Sequence, residues 1–89
     1  MIKILKFSAT WCGPCKTLAK NLEIVLPEFK DKVIIEEVDV EEEIDMANAY
    51  GVRGVPMMVF VKQNKIIDTK VGSMSVDDLR KLIKTNVEK

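Results

Sequence analysis

The chain has no histidine. That excludes Ser-His-Asp and Cys-His catalysis and every His-ligated metal site. Neither sign of charge is in excess, since fourteen Lys and Arg balance fourteen Asp and Glu. A nucleic-acid binder carries a basic excess, so this balance argues against one. Long apolar runs are also missing. The longest, Val55 to Val61, is about seven residues and contains a proline; a membrane-spanning helix takes about twenty. Lys3 and Lys6 interrupt the apolar N-terminal stretch, which therefore does not read as a signal peptide. Cysteine is scarce, at two residues. One pair is too few for a secreted disulfide scaffold and cannot alone fill a tetrahedral zinc site. The expected compartment is the cytoplasm, where thiols are mostly reduced. A close pair there is more often catalytic or metal-binding than a staple.

What is present is the composition of a globular protein: 89 residues, 47% hydrophobic and 31% charged. This length predicts one domain, residues 1–89, with an adequate but thin core. Ile2 to Phe7 reads as a strand. Leu18, Leu22, Val25 and Phe29 then mark one face of a helix that ends or kinks near Pro27. Val33 to Val40 reads as a second strand. Glu41 to Tyr50 reads as a short acidic helix with Gly51 just past its end. Met57 to Val61 reads as a buried strand, paired as a hairpin with Ile66 to Val71 across Lys62–Lys65. Ser75-Val76-Asp77-Asp78 resembles a capping box, with Met74 and Leu79 placed as a hydrophobic staple, and opens a last helix. The order is β-α-β-α-β-β-α, an α/β chain whose first two strands run parallel.

The sharpest chemical signal is Trp11-Cys12-Gly13-Pro14-Cys15. Two thiols at this spacing can close a small disulfide ring. Cys12 falls at the N-terminal end of the first helix, where free N–H groups and the dipole favour an anion. A free thiol is only about 3% thiolate at neutral pH, and a CxxC context raises that fraction. Cys12, expected to be the more exposed, would attack a substrate disulfide. Cys15, one turn inside, would then attack Cys12 and release the reduced substrate. Half of a zinc site is the other reading of a CxxC pair, but no histidine or third cysteine is present to complete it.

Phe7-Ser8-Ala9-Thr10-Trp11-Cys12-Gly13-Pro14-Cys15-Lys16 closely resembles the active-site segment of thioredoxins. The resemblance continues through Val38-Asp39-Val40, Tyr50-Gly51-Val52-Arg53-Gly54-Val55-Pro56 and Lys70-Val71-Gly72. It implies a thioredoxin-like fold, a four-stranded mixed sheet flanked by three helices, with strand order 33–40, 2–7, 57–61, 66–71. It also implies a protein-disulfide reductase with Cys12 as nucleophile and Cys15 as resolving thiol. Pro56 matches the family's cis-proline. Together with Trp11, Gly13, Pro14, Val55 and Gly72 it would form the substrate platform. Gly13-Pro14 is the pair typical of reducing members. No bound cofactor is implied beyond the Cys12–Cys15 disulfide, and no metal. Electrons would come from NADPH through a thioredoxin reductase, and the partners would be that reductase and disulfide-containing proteins. Nucleic acid and membrane are not implied, and the expected state is a monomer. Two other readings stand beside this one: a glutaredoxin-like reductase using glutathione, and a thioredoxin-fold binding module whose redox activity is incidental.

The chain departs from the family at Ser8 and Lys20, where the family has a tryptophan and a proline, and more consequentially in two further places. The family's buried aspartate, six residues before the first cysteine, is Lys6 here. Strand alternation puts Lys6 on the face of Ile2 and Ile4, where a lysine must reach water, pair or lose charge. Glu36 and Glu37 are the candidate partners, with Glu37 preferred. Lys6 and Glu37 are therefore candidate proton-transfer modulators. The chain also lacks the strand and helix that precede residues 2–7 in full-size members, which leaves strand 33–40 at an edge. Seven acids between Glu36 and Asp45 crowd that edge. Protection of the edge against pairing is preferred to docking of a basic partner.

Overall fold

The computed structural model describes residues 1–89. Its elements are β1 (Ile2–Ser8), α1 (Gly13–Val25), β2 (Val33–Asp39), α2 (Ile44–Ala49), β3 (Met57–Lys62), β4 (Lys65–Val71) and α3 (Val76–Val87). The strand order is β2-β1-β3-β4, with β1 parallel to β2 and antiparallel to β3. The expected order and the β2 edge are both found.

The apolar runs of β1 and β3 arise because both faces of the sheet are covered. Alternate side chains enter different cores. Ile2, Ile4, Met58 and Phe60 pack with Leu18, Leu22 and Val25 of α1 and with Leu79 and Ile83 of α3. Leu5, Phe7, Met57 and Val59 form the other core, with Met46 and Tyr50 from the α2 segment against it. The molecule is therefore three layers deep.

Local chemistry sets the boundaries. Pro27 ends the regular helix: α1 stops at Val25 and a single 3-10 turn covers Leu26–Phe29. The β3–β4 turn places Gln63 and Asn64 at φ 52° and 64°, the double positive φ of a type I′ hairpin. Ser75 Oγ accepts the Asp78 N–H at 3.1 Å, so the capping box is half formed. Asn21 ties α1 to this corner by donating to Met74 O at 2.8 Å.

The second helix is shorter than Glu41–Tyr50. Asp39 O accepts the N–H groups of Glu42 and Glu43, and Asp39 Oδ1 accepts that of Glu41. These bonds hold residues 41–43 in a turn, and the helix starts at Ile44. Ile44 itself is exposed and Ala47 is the buried residue. Gly51, at φ +65°, ends the helix in a Schellman arrangement: Val52 N–H reaches Ala47 O and Gly51 N–H reaches Asn48 O. Asn86 is the one uncharged polar side chain that the fold buries. It is fully buried on the apolar side of α3, donating to Asp68 Oδ2 and Leu82 O, each at 3.0 Å.

Lys6 does not reach water, one of the outcomes left open for it. Its side chain is 5% exposed and its ammonium lies 2.6 Å from Glu37 Oε1, on a carboxylate whose side chain is 69% exposed. The pair is therefore asymmetric. Removing Glu37 strands a buried cation, whereas removing Lys6 leaves a solvated anion. Glu37→Ala should cost about 1–3 kcal/mol in chemical denaturation, and Lys6→Met should cost less or stabilise. Equal losses would contradict this account.

Arg80 joins α3 to the 3-10 turn by a two-pronged contact with Glu28, at 2.8 and 2.9 Å. The hydrogen bond from Arg80 holds the Glu28 carboxyl below its ordinary value. A depressed carboxyl stabilises above its unfolded titration range and stops doing so as pH falls through its folded one. Glu28→Gln should thus be slightly less stable than the parent at neutral pH. The gap, read by thermal melts, should close as the carboxyl protonates in acid.

Candidate redox site

The antiparallel register of β1 and β3 places Phe7 opposite Met57. The end of β1 and the start of β3 therefore lie side by side, and the loops attached to them meet. One carries the cysteines and the other carries Pro56.

Cys12 is the N-cap of α1, with extended backbone at φ −90° and ψ 111°. Its Sγ accepts the Cys15 N–H at 3.1 Å, taking the part that a serine or aspartate oxygen plays at other helix starts. Pro14 fits the first helical turn because no N–H is needed there. Cys12 and Cys15 form a disulfide, with their Cα atoms 5.3 Å apart.

Cys12 was expected to be the more exposed thiol. The two are equally buried, at 4% and 5%. Ala9 packs against both cysteines, with Val40 and Val55 closing the cluster, and the loop before β3 covers Cys12 from the other side. Its Sγ is 3.7 Å from Val55 O. The Val55–Pro56 peptide is cis, as the resemblance implied, and Pro56 is fully buried. Pro56 O accepts the Gly72 N–H at 2.8 Å, which fastens this loop to the end of β4.

Three segments thus converge: Ala9–Cys15, Val52–Pro56 and Gly72. Gly13, Pro14 and Trp11 sit on the exposed rim, with Trp11 68% exposed. Trp11 borders a groove of about 330 Å³ that is walled by Val40, Ala47, Val52, Gly54 and Val55, with Arg53 at its edge. A larger groove, about 560 Å³, lies beside Met1 and Lys3 and contains no thiol. Sequence reasoning did not single out Ala9, Val40 or Arg53 as site residues. Ala9 had a signal: a small residue where the chain passes from β1 into the cysteine turn.

Chemically, the site offers an oxidised sulfur pair, a backbone donor already directed at Cys12 Sγ and an apolar groove beside it. The donor and the helix N-terminus both favour a thiolate on Cys12 once the bond opens. No group of three or more His, Cys, Asp or Glu side chains is arranged to hold a metal ion. An α/β fold with a disulfide at a helix start defines a thiol–disulfide oxidoreductase.

The family model for thioredoxin matches residues 1–85. Among relatives, the chain is 33% identical to a thioredoxin of Buchnera aphidicola over 84 residues, covering 94% of this chain and 78% of that protein. It is 35% identical to the Bacillus subtilis thioredoxin over 82 residues, covering 92% and 79%. Among solved structures, the thioredoxin Mala s 13 of Malassezia sympodialis superposes with a TM-score of 0.87 at 36% identity, covering 97% of this chain and 75% of that one. The Drosophila thioredoxin Deadhead also gives 0.87, at 27% identity. The chain belongs to the thioredoxin family and is a protein-disulfide oxidoreductase. Its redox group is the disulfide itself.

Gly72 adopts φ +99° with open space where a Cβ would stand, so backbone conformation is what demands glycine there. Gly13 has the same open space without a positive φ. Gly72→Ala should therefore destabilise by about 1–3 kcal/mol, and Gly13→Ala by much less. Denaturant titration of both variants checks the contrast.

Proposed function

We propose that this chain reduces protein disulfides, with Cys12 as the attacking sulfur and Cys15 as the resolving one. The observation that supports this assignment is the Cys15 N–H directed at Cys12 Sγ at the start of α1. That donor stabilises negative charge on Cys12 and not on Cys15. The Cys12 thiolate attacks a substrate disulfide, and the substrate's other sulfur leaves as a thiolate and takes a proton from water. Cys15 then attacks Cys12 Sγ. The mixed disulfide breaks, the Cys12–Cys15 bond re-forms, and the substrate's second sulfur departs with the electron pair. Because Cys15 is tethered one turn away, this second step is effectively unimolecular.

Trp11, Gly13, Pro14, Val55, Pro56 and Gly72 form the surface that receives the substrate backbone around its disulfide. The working arrangement is one domain acting as a monomer in the cytoplasm. Electrons come from NADPH through a thioredoxin reductase, and the clients are disulfide-containing proteins.

The test couples the chain to NADPH and a thioredoxin reductase, and separately to glutathione and its reductase, with a protein disulfide as substrate. NADPH consumption in the first system only is expected; consumption in the second only would favour a glutaredoxin-like protein. Cys12→Ser should reduce turnover to background. Cys15→Ser should accumulate a mixed disulfide with the substrate. A Cys12→Ser/Cys15→Ser double variant that retains full biological function would instead mark the chain as a binding module.

A further inference from the structure

Glu41, Glu42, Glu43 and Asp45 are exposed and take part in no ion pair of the molecule. The edge acids Glu36 and Glu37 do meet lysines. Protection of the β2 edge therefore does not account for the four acids that follow the strand.

Their place in the fold is specific. Val40 and Ala47 both wall the groove of about 330 Å³ beside Trp11. Residues 41–46 run between those two wall positions, and Glu43 O accepts the Ala47 N–H. The acids thus border an apolar groove that reaches the disulfide through Val55, whose O lies 3.7 Å from Cys12 Sγ. Arg53 is the one cation that lines this groove. Lys70 shares the face of Met58, toward α1 and α3, and Lys16 belongs to α1 itself. The remaining charge is sorted along the strands. Lys30, Lys32, Lys62 and Lys65 flank the starts of β1 and β2 and the β3–β4 turn, at the end away from the cysteines. A groove with apolar walls and an excess of one charge at its mouth draws partners of the opposite sign.

We propose that this groove receives the stretch of a client next to its disulfide, with an apolar side chain between Trp11 and Val52 and with client Lys or Arg residues over Glu41, Glu42, Glu43 and Asp45. The preferred clients are therefore proteins whose reducible disulfide is flanked by basic residues. This deepens the reading of the chain as a protein-disulfide reductase and rests on it. The acids determine specificity and take no part in the sulfur chemistry. A client with acids at the same positions meets four like charges, and Arg53 supplies one opposing charge.

The experiment uses the full chain and three peptides. Each carries a leucine beside an intrachain disulfide, followed by three lysines, three glutamines or three glutamates. The reduced chain, freed of other reductant, is mixed with each peptide. Two electrons pass from the Cys12 and Cys15 thiols, which leaves the chain disulfide and two peptide thiols, and the peptide thiols are measured over time. Binding is read separately with the oxidised chain and peptides whose cysteines are replaced by serine. Trp11 is the single tryptophan and borders the groove, so its fluorescence reports occupancy.

At low ionic strength the lysine peptide should react about tenfold faster than the glutamate peptide. It should also bind more tightly, and both gaps should shrink as salt screens the charges. A Glu41→Gln/Glu42→Gln/Glu43→Gln variant should lose most of the preference. A Glu23→Gln/Asp31→Asn/Glu88→Gln variant changes net charge equally but away from the groove, and should keep it. Equal rates and equal binding for the three peptides would overturn the proposal, as would preference for the glutamate peptide. Loss of preference to the same degree in both variants would also overturn it, because bulk charge would then be the cause. Preferential binding of the lysine peptide without reduction of any peptide would overturn the reductase reading and still support the groove's preference. Reduction of all three at one rate would do the reverse.

Discussion

Burial of β1 and β3 on both faces is the constraint on which the rest of this molecule depends. Each strand sends alternate side chains into different cores, so neither can slip by one residue without exchanging the two sets. The register Phe7–Met57 is locked in this way. The locked register brings the turn after β1 against the loop before β3. The cysteines and Pro56 are 41 residues apart in the chain when counted from Cys15, yet they share one end of the sheet. A redox site made of loops is thereby placed with the precision of a packed core.

The same arrangement accounts for how the loops are held. Several contacts that close the site are made by backbone or by a small side chain. Cys15 N–H meets Cys12 Sγ, Gly72 N–H meets Pro56 O, and Ala9 packs under both sulfurs. None of these depends on a long, flexible side chain. The disulfide thus sits in a frame held by short-range backbone bonds.

Much of the fold was legible in the sequence because period and punctuation agree. The apolar runs, the Pro27 stop, the Gly51 end and the Ser75 cap all have local causes that a sequence displays. The candidate site was legible for a different reason: WCGPC and the Pro56 segment resemble a known family. What was not legible depends on tertiary surroundings. Cys12 is as buried as Cys15 because residues far away in the chain cover it. Asn86 is a polar residue of α3, and its burial is matched by a partner distant in the chain: Asp68 on β4 meets its amide. The start of α2 was misplaced because Asp39 captures the three N–H groups that follow. Helix propensity alone carries no sign of that competition.

The acidic stretch 36–45 shows how one compositional feature divides into two structural ones. Glu36 and Glu37 lie on the edge strand and are both neutralised by lysines of β1, at 3.3 and 2.6 Å. They tie the edge to its neighbour across the sheet. Charge on an edge strand also deters pairing with another chain, because an incoming strand must disrupt or desolvate these pairs. Glu41, Glu42, Glu43 and Asp45 lie past the strand, exposed and outside every ion pair of the molecule. They surround the start of α2, where the dipole of a short helix tolerates negative charge. The zero net charge of the chain thus conceals an ordered separation. Lysines of β1 hold the edge acids in place, while the acids of the following turn remain in solvent.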